Sequence, residues 1–528
     1  MADQVADYVV VGGGLTGCVV ASRLRQSANK PEVVLLEAGP ETTNPAASGF
    51  ISGLSLLGSD LDYTYQSQPV QSTHNRLHML NAGKCLGGGS ILNYGGWLPA
   101  DAADYDEWAD TVKDPRWSYE GLEPWLRKAE EMMHVVTIGA AEEGQRKYRL
   151  RDAVKEAWTE LGVTHNVSRE YGTIGGLTEM RENSHDGMRQ PSQTVYSLDG
   201  VKVLTDATVN RIIFSGSTAC GVEWNDDRKI LARKEVIICA GAYRTPQLLM
   251  LSGIGPSAEL TQRGIPIVYD SQYVGQNLHD HFAVYFAFRL RDADQGYALG
   301  NAAWGQNPAL NKGLPWDWVV SQPLPPEILA KQDGPVNERK KGRNLYEIIT
   351  VYVPPGIPGI LVNGTHIATS TMLLLPSSRG TVSLASGAAN VKESPHIRPG
   401  YFSTQLDRDT LIHAARQTLK AMLTTASMGS IVESETPPSG PGVDNLEPLT
   451  AESSDEAIED RIRRTGTQHH HSGGTAAMGK VVDTEGRVLG VKGLRVADAS
   501  IVPIPLGGHP QATLYALAEQ LAIMIVKE

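Results

Sequence analysis

The sequence predicts an α/β protein in which a parallel-sheet domain is interrupted by an α+β domain with an antiparallel sheet. Three observations predict this division. Residues 7–11 form an apolar run that leads into a glycine-rich turn and a helical pattern. The chain returns to a strand and a final helix at 494–528. Between these ends, segments 380–385 and 395–402 have the pattern of antiparallel strands.

Length, composition and charge narrow the class of protein. The 528 residues suggest about three domains of ordinary size, and 41% hydrophobic with 20% charged residues is typical of globular proteins. A net charge of −12 without a long basic run argues against a nucleic-acid partner. No window approaches eighteen apolar residues, and neither end carries a recognisable targeting signal. We therefore expect an intracellular, cytoplasmic protein with no membrane partner and with four reduced, buried cysteines.

The first motif is a strand, a glycine-rich turn and a helix. Residues 12–17 read GGGLTG between the apolar run and the helical pattern. In a Rossmann-like fold, Gly12 permits the tight turn, Gly14 lets the backbone approach a pyrophosphate, and Gly17 lets the helix pack against the strand. The pyrophosphate would rest on the N-terminus of the helix.

An acidic residue completes this motif. Glu37 ends the second predicted strand, residues 32–36, and is placed to accept hydrogen bonds from a ribose diol. The run Glu-Ala-Gly at 37–39 is typical of flavoprotein folds and favours FAD over NAD. The alternative is a glycine-rich turn in which Glu37 only caps a surface strand.

The middle of the chain adds a second glycine-rich loop, at 80–96, that is too apolar for a flexible surface loop and is expected to wrap a ligand. Residues 201–214 predict strands, with Val209 at a strand end, and residues 235–241 predict a buried strand that runs into Gly241.

Helices and a long irregular segment follow. A helix is expected from Thr245, with Pro246 in its first turn, and another at 408–426. Residues 287–345 are rich in Pro, Gly, Asn and charge and carry three tryptophans. This segment is either a lid or pocket wall that supplies aromatic side chains, or a plain surface excursion.

Two histidines near the C-terminus are the candidate acid–base residues. Residues 468–475 read QHHHSGGT and residues 508–513 read GHPQAT, so His471 and His509 both lie in Gly- or Pro-rich turns. Imidazole is the side chain most easily tuned to exchange protons near neutral pH. We expect no metal site, because consecutive side chains in a strand point to opposite faces and three in a row cannot readily bind one ion.

The ordered motifs resemble the glucose–methanol–choline (GMC) oxidoreductase family, with an aryl-alcohol-oxidase-like character, from about residue 7 to residue 525. Beside the C-terminal stretch, the matching segments are GGGLTG at 12–17, EAG at 37–39, GKCLGGGS at 83–90 with Asn93, DYDEW at 104–108, AGA at 240–242, TPQLLMLSGIGP at 245–256, VGQNLHDH at 274–281 and SRG at 378–380.

The resemblance implies the GMC fold, FAD, and oxidation of an alcohol by hydride transfer to flavin N(5). It also implies that His471 is the catalytic histidine and that His509 holds the second catalytic position. One imidazole would accept the hydroxyl proton, and the other would stabilise the developing alkoxide. His279 and His281 are expected to be structural. The expected cofactor contacts are Gly12, Gly14, Leu15, Thr16, Gly17, Glu37, Ala38, Gly83, Gly88, Ser90, Asn93, Val209, Gly241, Asp498, Ala499, Pro510, Gln511 and Thr513.

The same resemblance suggests a domain division and a pocket. The expected FAD-binding domain is discontinuous, and the expected substrate domain includes the lid-like segment 287–345. The pocket is expected to include Trp97, His470 and Trp304. The expected limits are 1–160, 196–285 and 466–528 for the FAD-binding domain, and 161–195 and 286–465 for the substrate domain.

Departures from the family pattern bear on the cofactor and the substrate. Leu92 precedes Asn93, where some members carry a histidine bonded covalently to FAD, so we expect non-covalent FAD. Ala476 replaces the usual cysteine after the catalytic histidine motif. Residues 96–99 read GWLP where many members have Tyr-x-Arg-Gly. That change lies on the substrate side in the family and leaves the substrate open.

The expected function is therefore FAD-dependent oxidation of a primary or secondary alcohol, bulky and aromatic or apolar, such as a biosynthetic intermediate. Oxygen or another acceptor would reoxidise the flavin. One alternative is a GMC-fold lyase of the hydroxynitrile-lyase kind, in which FAD is not redox-active. The other is a non-catalytic dinucleotide-binding protein, against which the presence of both His471 and His509 argues.

Overall fold

The computed structural model contains two large sheets. Each has seven strands in the part of the chain that is described. The two sheets differ in strand direction, as the predicted α/β and α+β division requires. The described residues are 4–138, 146–167, 172–225, 227–331, 340–385 and 390–527.

The first sheet holds the predicted nucleotide-binding end of the chain. Gln4–Val11 pairs in parallel with Val33–Leu36 and with Arg228–Ile238. Its inner residues Val9 and Val10 are fully buried, as expected for a strand covered on both faces. In spatial order the strands are Val209–Ser215, Thr218–Trp224, Arg228–Ile238, Gln4–Val11, Val33–Leu36 and Lys202–Leu204, with Leu494–Val496 beside Arg228–Ile238.

The second sheet is antiparallel at every described strand pair. Its strand Phe282–Leu290 crosses the expected domain limit at 285/286, and the limits of both domains stay predictions. In spatial order the strands are Val432–Thr436, Phe282–Leu290, His366–Leu373, Tyr346–Val351, Trp316–Gln322 and Gly176–Glu179, with Thr467–Gln468 beside Phe282–Leu290.

Smaller sheets occupy the loops. Thr381–Ser383 and His396–Arg398 form the antiparallel pair expected at 380–385 and 395–402, but this pair is separate from the second sheet. The other small pairings are Ile254–Gly255 with Tyr269–Asp270, Tyr65–Gln66 with Met79–Leu80, and Val135–Thr137 with Arg181–His185 and Met188–Arg189.

Helices pack on both sheets. Leu15–Gln26 packs against Pro510–Lys527 beside the first sheet, and Gln405–Leu423 packs on the second sheet. Across the described residues, we find no helix whose length and apolarity would let it cross a bilayer. The remaining α-helices are Phe50–Gly53, Gly89–Leu92, Ala102–Val112, Tyr119–Met132, Arg151–Glu160, Ser192–Val195, Gly241–Leu251, Ser257–Gln262, Ala302–Gly305, Pro326–Leu329, Ala426–Gly429 and Asp455–Thr465.

Part of the segment 287–345 belongs to the second sheet. Trp316–Gln322 lies between Tyr346–Val351 and Gly176–Glu179, so the prediction of a lid is wrong for this strand. Trp316, at its start, lines the cavity described below, which agrees with the pocket-wall interpretation. Residues 332–339 of this segment lie outside the described residues.

The helix after Arg228–Ile238 begins earlier than predicted. It spans Gly241–Leu251, so Pro246 lies inside the helix rather than in its first turn. Because proline has no N–H, the carbonyl of Ala242 loses its helical partner. The hydroxyl of Thr475 donates to that carbonyl at 2.6 Å, which satisfies the orphaned acceptor from a distant part of the chain.

We predict that Thr475→Val lowers the free energy of unfolding by about 1–3 kcal/mol, because it leaves the buried Ala242 carbonyl without a donor. Urea unfolding measures the loss. The control is Thr159→Val, which removes an exposed hydroxyl bonded to the carbonyl of Lys155 and should change stability by less than about 0.5 kcal/mol. Equal stability of the two variants would contradict this role of Thr475.

Candidate active site

Two glycine loops meet, backbone against backbone, beyond the carboxyl ends of the first sheet's strands. The amide of Gly87 donates to the carbonyl of Gly13 at 2.7 Å. Gly88 has φ +51°, and a Cβ there would lie 2.6 Å from the Cα of Gly14. A Cβ on Gly12, at φ +101°, would lie 2.4 Å from the carbonyl oxygen of Cys239. Glycine is therefore required at both positions for the loops to form this cradle.

Glu37 ties the cradle together. Its Oε2 accepts from the amide of Gly13 and its Oε1 from the amide of Gly39, both at 2.8 Å. The side chain is buried, which rules out the surface-cap alternative, and burial raises the pKa of Glu37 to about 7. Each carboxylate oxygen retains a further lone pair that can accept a hydroxyl proton.

A cavity of about 1030 Å³ extends from this cradle to the C-terminal histidine turns. Most of the expected cofactor residues line it, together with His471 and His509. These residues are Gly12, Gly14, Leu15, Thr16, Glu37, Ala38, Gly83, Gly88, Asn93, Val209, Gly241, Asp498, Ala499, Pro510 and Gln511.

Three expected cofactor residues do not line this cavity. Gly17 lies beneath the turn, where a Cβ would be 1.9 Å from the carbonyl oxygen of Gly12. Ser90 donates to the carbonyl of Gly87 at 2.6 Å. Thr513 is buried and hydrogen-bonds the hydroxyl of Tyr105 at 2.8 Å. These contacts hold the cavity walls in place, and the cofactor role of the three residues stays a prediction.

Five of the described histidines meet at the other end of the cavity. The ring centroid of His471 lies 4.9 Å from that of His509, 4.9 Å from that of His469 and 4.8 Å from that of His281. The fifth ring, His470, lies 6.5 Å from His469. Within the described residues, no group of three or more His, Cys, Asp or Glu side chains is arranged to hold a metal ion.

His471 is held from its main chain and from its ring. Its backbone amide donates to Oδ1 of Asp280 at 2.8 Å, and its Nδ1 lies 2.8 Å from Nδ1 of His281. The other ring nitrogen of His281, Nε2, lies 3.0 Å from the carbonyl oxygen of Leu506. Asp280 also accepts from the hydroxyls of Tyr401 and Ser472, and burial raises its pKa to about 6.

The second sheet supports the other histidines. Nε2 of His509 lies 2.8 Å from Oε1 of Glu347, a buried carboxylate on the strand Tyr346–Val351. Nε2 of His469 lies 3.2 Å from the hydroxyl of Ser370 on the neighbouring strand. The histidine turns therefore depend on the second sheet for part of their geometry.

Enclosure by protein keeps the rings of His281, His469, His470 and His471 neutral. Desolvation lowers the pKa of His281 to about 3 and that of His470 to about 4. It also lowers the pKa values of His469 and His471 well below the ordinary histidine value, and the neighbouring imidazoles add to this effect. At neutral pH, His471 is therefore an uncharged imidazole that can accept a proton.

The cavity wall beside the histidines is mostly apolar and aromatic. Tyr94, Tyr285, Trp316, Ile349 and Val351 all line it. His470, expected in the pocket, does line the cavity and meets Tyr94 edge-to-face.

The two tryptophans expected in the pocket lie elsewhere. Trp97 is fully buried and stacks on Tyr515, with ring centroids 5.7 Å apart. Trp304 stacks on Tyr148 at 5.4 Å in the core of the second sheet. Neither is among the residues that line the cavity. Large aromatic side chains are as useful for filling a core as for lining a pocket, and here they fill cores.

Sequence reasoning missed several residues of this site, and His281 and Glu347 are the two that contact the candidate catalytic histidines. His281 lies in the VGQNLHDH motif but was expected to be only structural. Glu347 had no motif, although it is the one acid in the buried apolar strand Tyr346–Val351. A buried carboxylate in such a strand requires a partner, and this requirement is the signal that could have identified it.

The comparisons with known proteins agree with this geometry. The chain belongs to the GMC oxidoreductase family: the N-terminal family model matches residues 6–283, and the C-terminal model matches residues 376–518. The predicted resemblance and fold class are confirmed, and the protein is an oxidoreductase of a family that binds FAD.

Particular relatives span the whole chain. The GMC-type oxidoreductase acuG of Aspergillus aculeatus is 37% identical over 536 residues, which cover 99% of each chain. Patulin synthase of Penicillium expansum is 28% identical, covering 99% of this chain and 92% of that protein. The structure of Aspergillus oryzae formate oxidase, from a study of FAD modification in a variant, matches with a TM-score of 0.86 and 26% identity, covering 99% of each chain.

We predict that Glu37→Gln weakens FAD binding about 10- to 100-fold, since one carboxylate acceptor becomes an amide donor that faces a backbone N–H. Titration of the apoprotein with FAD, followed by flavin fluorescence, measures the affinity. Glu32→Gln, an exposed change that weakens only a surface ion pair with Arg233, is the matched control. Unchanged affinity in Glu37→Gln would remove Glu37 from the cofactor site.

Proposed function

We propose that the protein oxidises a primary or secondary alcohol to the carbonyl compound with non-covalently bound FAD. The observation that carries this proposal is the single cavity that joins the glycine cradle to the neutral imidazole of His471. A cofactor at one end and a proton acceptor at the other are the two components that alcohol oxidation requires.

The residues of the cradle fit FAD. The loops around Gly14 and Gly88 lie close together, and because these glycines have no side chains, a diphosphate could approach the loop backbones. The helix Leu15–Gln26 begins at the same place, so its N-terminal amides could also bind the diphosphate. Glu37 offers acceptors for a ribose diol. Leu92 lies beside Asn93 in place of a histidine that could form a covalent link, which supports dissociable FAD. When bound, FAD supplies the hydride acceptor.

His471 is the proposed base. As the hydride leaves the substrate carbon, the hydroxyl proton must also leave, and a neutral imidazole accepts it. The anchoring of its backbone amide by Asp280 fixes where the ring stands in the cavity. Positioning of this kind accounts for a large part of the rate enhancement in enzymes.

His509 is the proposed partner at the substrate oxygen. Its Nε2 is engaged by Glu347, which leaves the Nδ1 edge of the ring beside Gly96 at the cavity wall. We propose that this edge contacts the substrate oxygen, where a hydrogen bond would stabilise the negative charge that develops there.

The apolar wall supports a bulky aromatic or apolar substrate. Tyr94, Tyr285 and Trp316 offer ring faces and edges beside the histidines, and Ile349 and Val351 add aliphatic surface. An alcohol with an aromatic or extended hydrocarbon group would displace water from this wall.

The experiment is to mix the holoenzyme with a panel of alcohols without oxygen and to record the flavin absorbance. Bleaching by aromatic or apolar alcohols supports the proposal. If no primary or secondary alcohol bleaches the flavin, the oxidation proposal fails and a non-redox, lyase-type reaction takes its place. Admission of oxygen and assay of peroxide then identify the electron acceptor.

We predict that His471→Ala reduces the rate of anaerobic flavin reduction by about 10²–10⁴-fold, the usual contribution of a general base. FAD should remain bound, because His471 is not part of the glycine cradle. Stopped-flow absorbance measures the rate, with His74→Ala, an exposed histidine, as the control. Near-normal reduction in His471→Ala would remove this residue from the mechanism.

A further inference from the structure

We propose that His281 is a positioning residue that fixes His471 in the tautomer with its proton on Nδ1 and its lone pair on Nε2. This inference rests on the proposed function in one respect, namely that His471 is the base. It adds the residue that decides which ring nitrogen of that base is free to accept a proton.

The first step concerns the proton on His281. Its Nε2 lies 3.0 Å from the carbonyl oxygen of Leu506, and the backbone of Leu374 also interacts with this ring. A carbonyl oxygen can only accept. Nε2 of His281 must therefore carry a proton. Because burial lowers the pKa of His281 to about 3, the ring is neutral near pH 7 and holds no second proton. Its Nδ1 is consequently an acceptor.

The second step shows which ring nitrogen of His471 carries the proton. The two Nδ1 atoms lie 2.8 Å apart, and a contact of this length between two ring nitrogens requires one proton between them. His281 cannot supply it, so Nδ1–H of His471 donates. The neutral His471 ring then carries a bare Nε2, the nitrogen that a general base needs.

The third step places that nitrogen. Nε2 is on the ring edge opposite Nδ1, His471 lines the cavity, and Nε2 has no hydrogen-bond partner among the described residues. The ring is also fixed in place, since the amide of His469 donates to the carbonyl of His281 and the amide of His471 donates to Asp280. The other ionisable groups that face His471 are His469, His470 and His509.

The tautomer of His471 depends on the acceptor that Nδ1 of His281 provides. If position 281 offered no acceptor, Nδ1–H of His471 would lose its partner, and the proton could reside on Nε2 instead. In that tautomer Nε2 is a donor and cannot accept the hydroxyl proton. Removing this acceptor would therefore slow the chemical step and leave substrate binding unchanged.

Nitrogen NMR of the holoenzyme labelled with ¹⁵N-histidine tests the tautomers directly and independently of activity. The signals of His471 and His281 are identified by their disappearance in His471→Gln and His281→Gln. We expect a protonated Nδ1 and a bare Nε2 for His471, and the reverse for His281. A proton on Nε2 of His471 would overturn the proposal, whatever the enzyme does with alcohols.

Two variants of His281 separate positioning from packing. The side-chain oxygen of His281→Asn can stand near the place of Nδ1 and accept from His471. The amide of His281→Gln can reach the carbonyl of Leu506 but leaves no acceptor at Nδ1. With the best alcohol of the panel, the limiting rate of flavin reduction should fall at least about tenfold in His281→Gln and by less than about threefold in His281→Asn. Substrate affinity should be unchanged in both.

The outcomes distinguish this proposal from the proposed function. Equal losses in both variants, or no loss in His281→Gln, would show that His281 is structural even when alcohols reduce the flavin. Failure of every alcohol to reduce the wild-type flavin would refute the proposed function, and the NMR result would still decide the tautomer. Should neither His281 variant fold, the His471 signal, identified by its loss in His471→Gln, still reports which ring nitrogen of His471 carries the proton.

Discussion

The hydrogen-bonded pairing of two distant chain segments, residues 279–283 and 467–473, is the interaction on which the site depends. Phe282 pairs with Gln468 and His279 with Gly473, so His281 and His471, 190 residues apart in sequence, face each other across this pairing. The second segment then returns the chain to the first sheet through Leu494–Val496. Without this pairing, the candidate base would have neither its ring partner nor its backbone anchor at Asp280.

The two sheets support different parts of the site: the first supports the glycine cradle and the second supports the histidines. Backbone at the first sheet's strand ends forms the cradle, because a diphosphate is best met by exposed amides and glycine turns. Side chains of the second sheet, Glu347 and Ser370, hold the histidines. Packing so many imidazoles together in an enclosed space disfavours any added charge, and this keeps the proposed base neutral and ready to accept a proton.

The sequence revealed the parts of this site that local constraints determine, and it missed those that long-range contacts determine. Gly12, Gly14 and Glu37 were predictable because a tight turn and a strand end restrict the residues allowed there. The Thr475 hydroxyl that satisfies Ala242 and the Glu347 carboxylate at His509 depend on contacts across the fold. Trp97 and Trp304 were misplaced for the same reason, since an aromatic side chain looks alike in sequence whether it fills a core or lines a pocket.

The most direct measurement is the limiting rate of anaerobic flavin reduction as a function of pH, at saturating alcohol and with FAD bound. The base must be unprotonated, and burial lowers the pKa of His471 well below that of a free histidine, about 6.5. The rate should therefore stay constant as the pH falls from about 8 through 6.5 and should decline only at lower pH. A rate that is already halved at pH 6.5 or above would contradict a buried, neutral His471 as the proton acceptor.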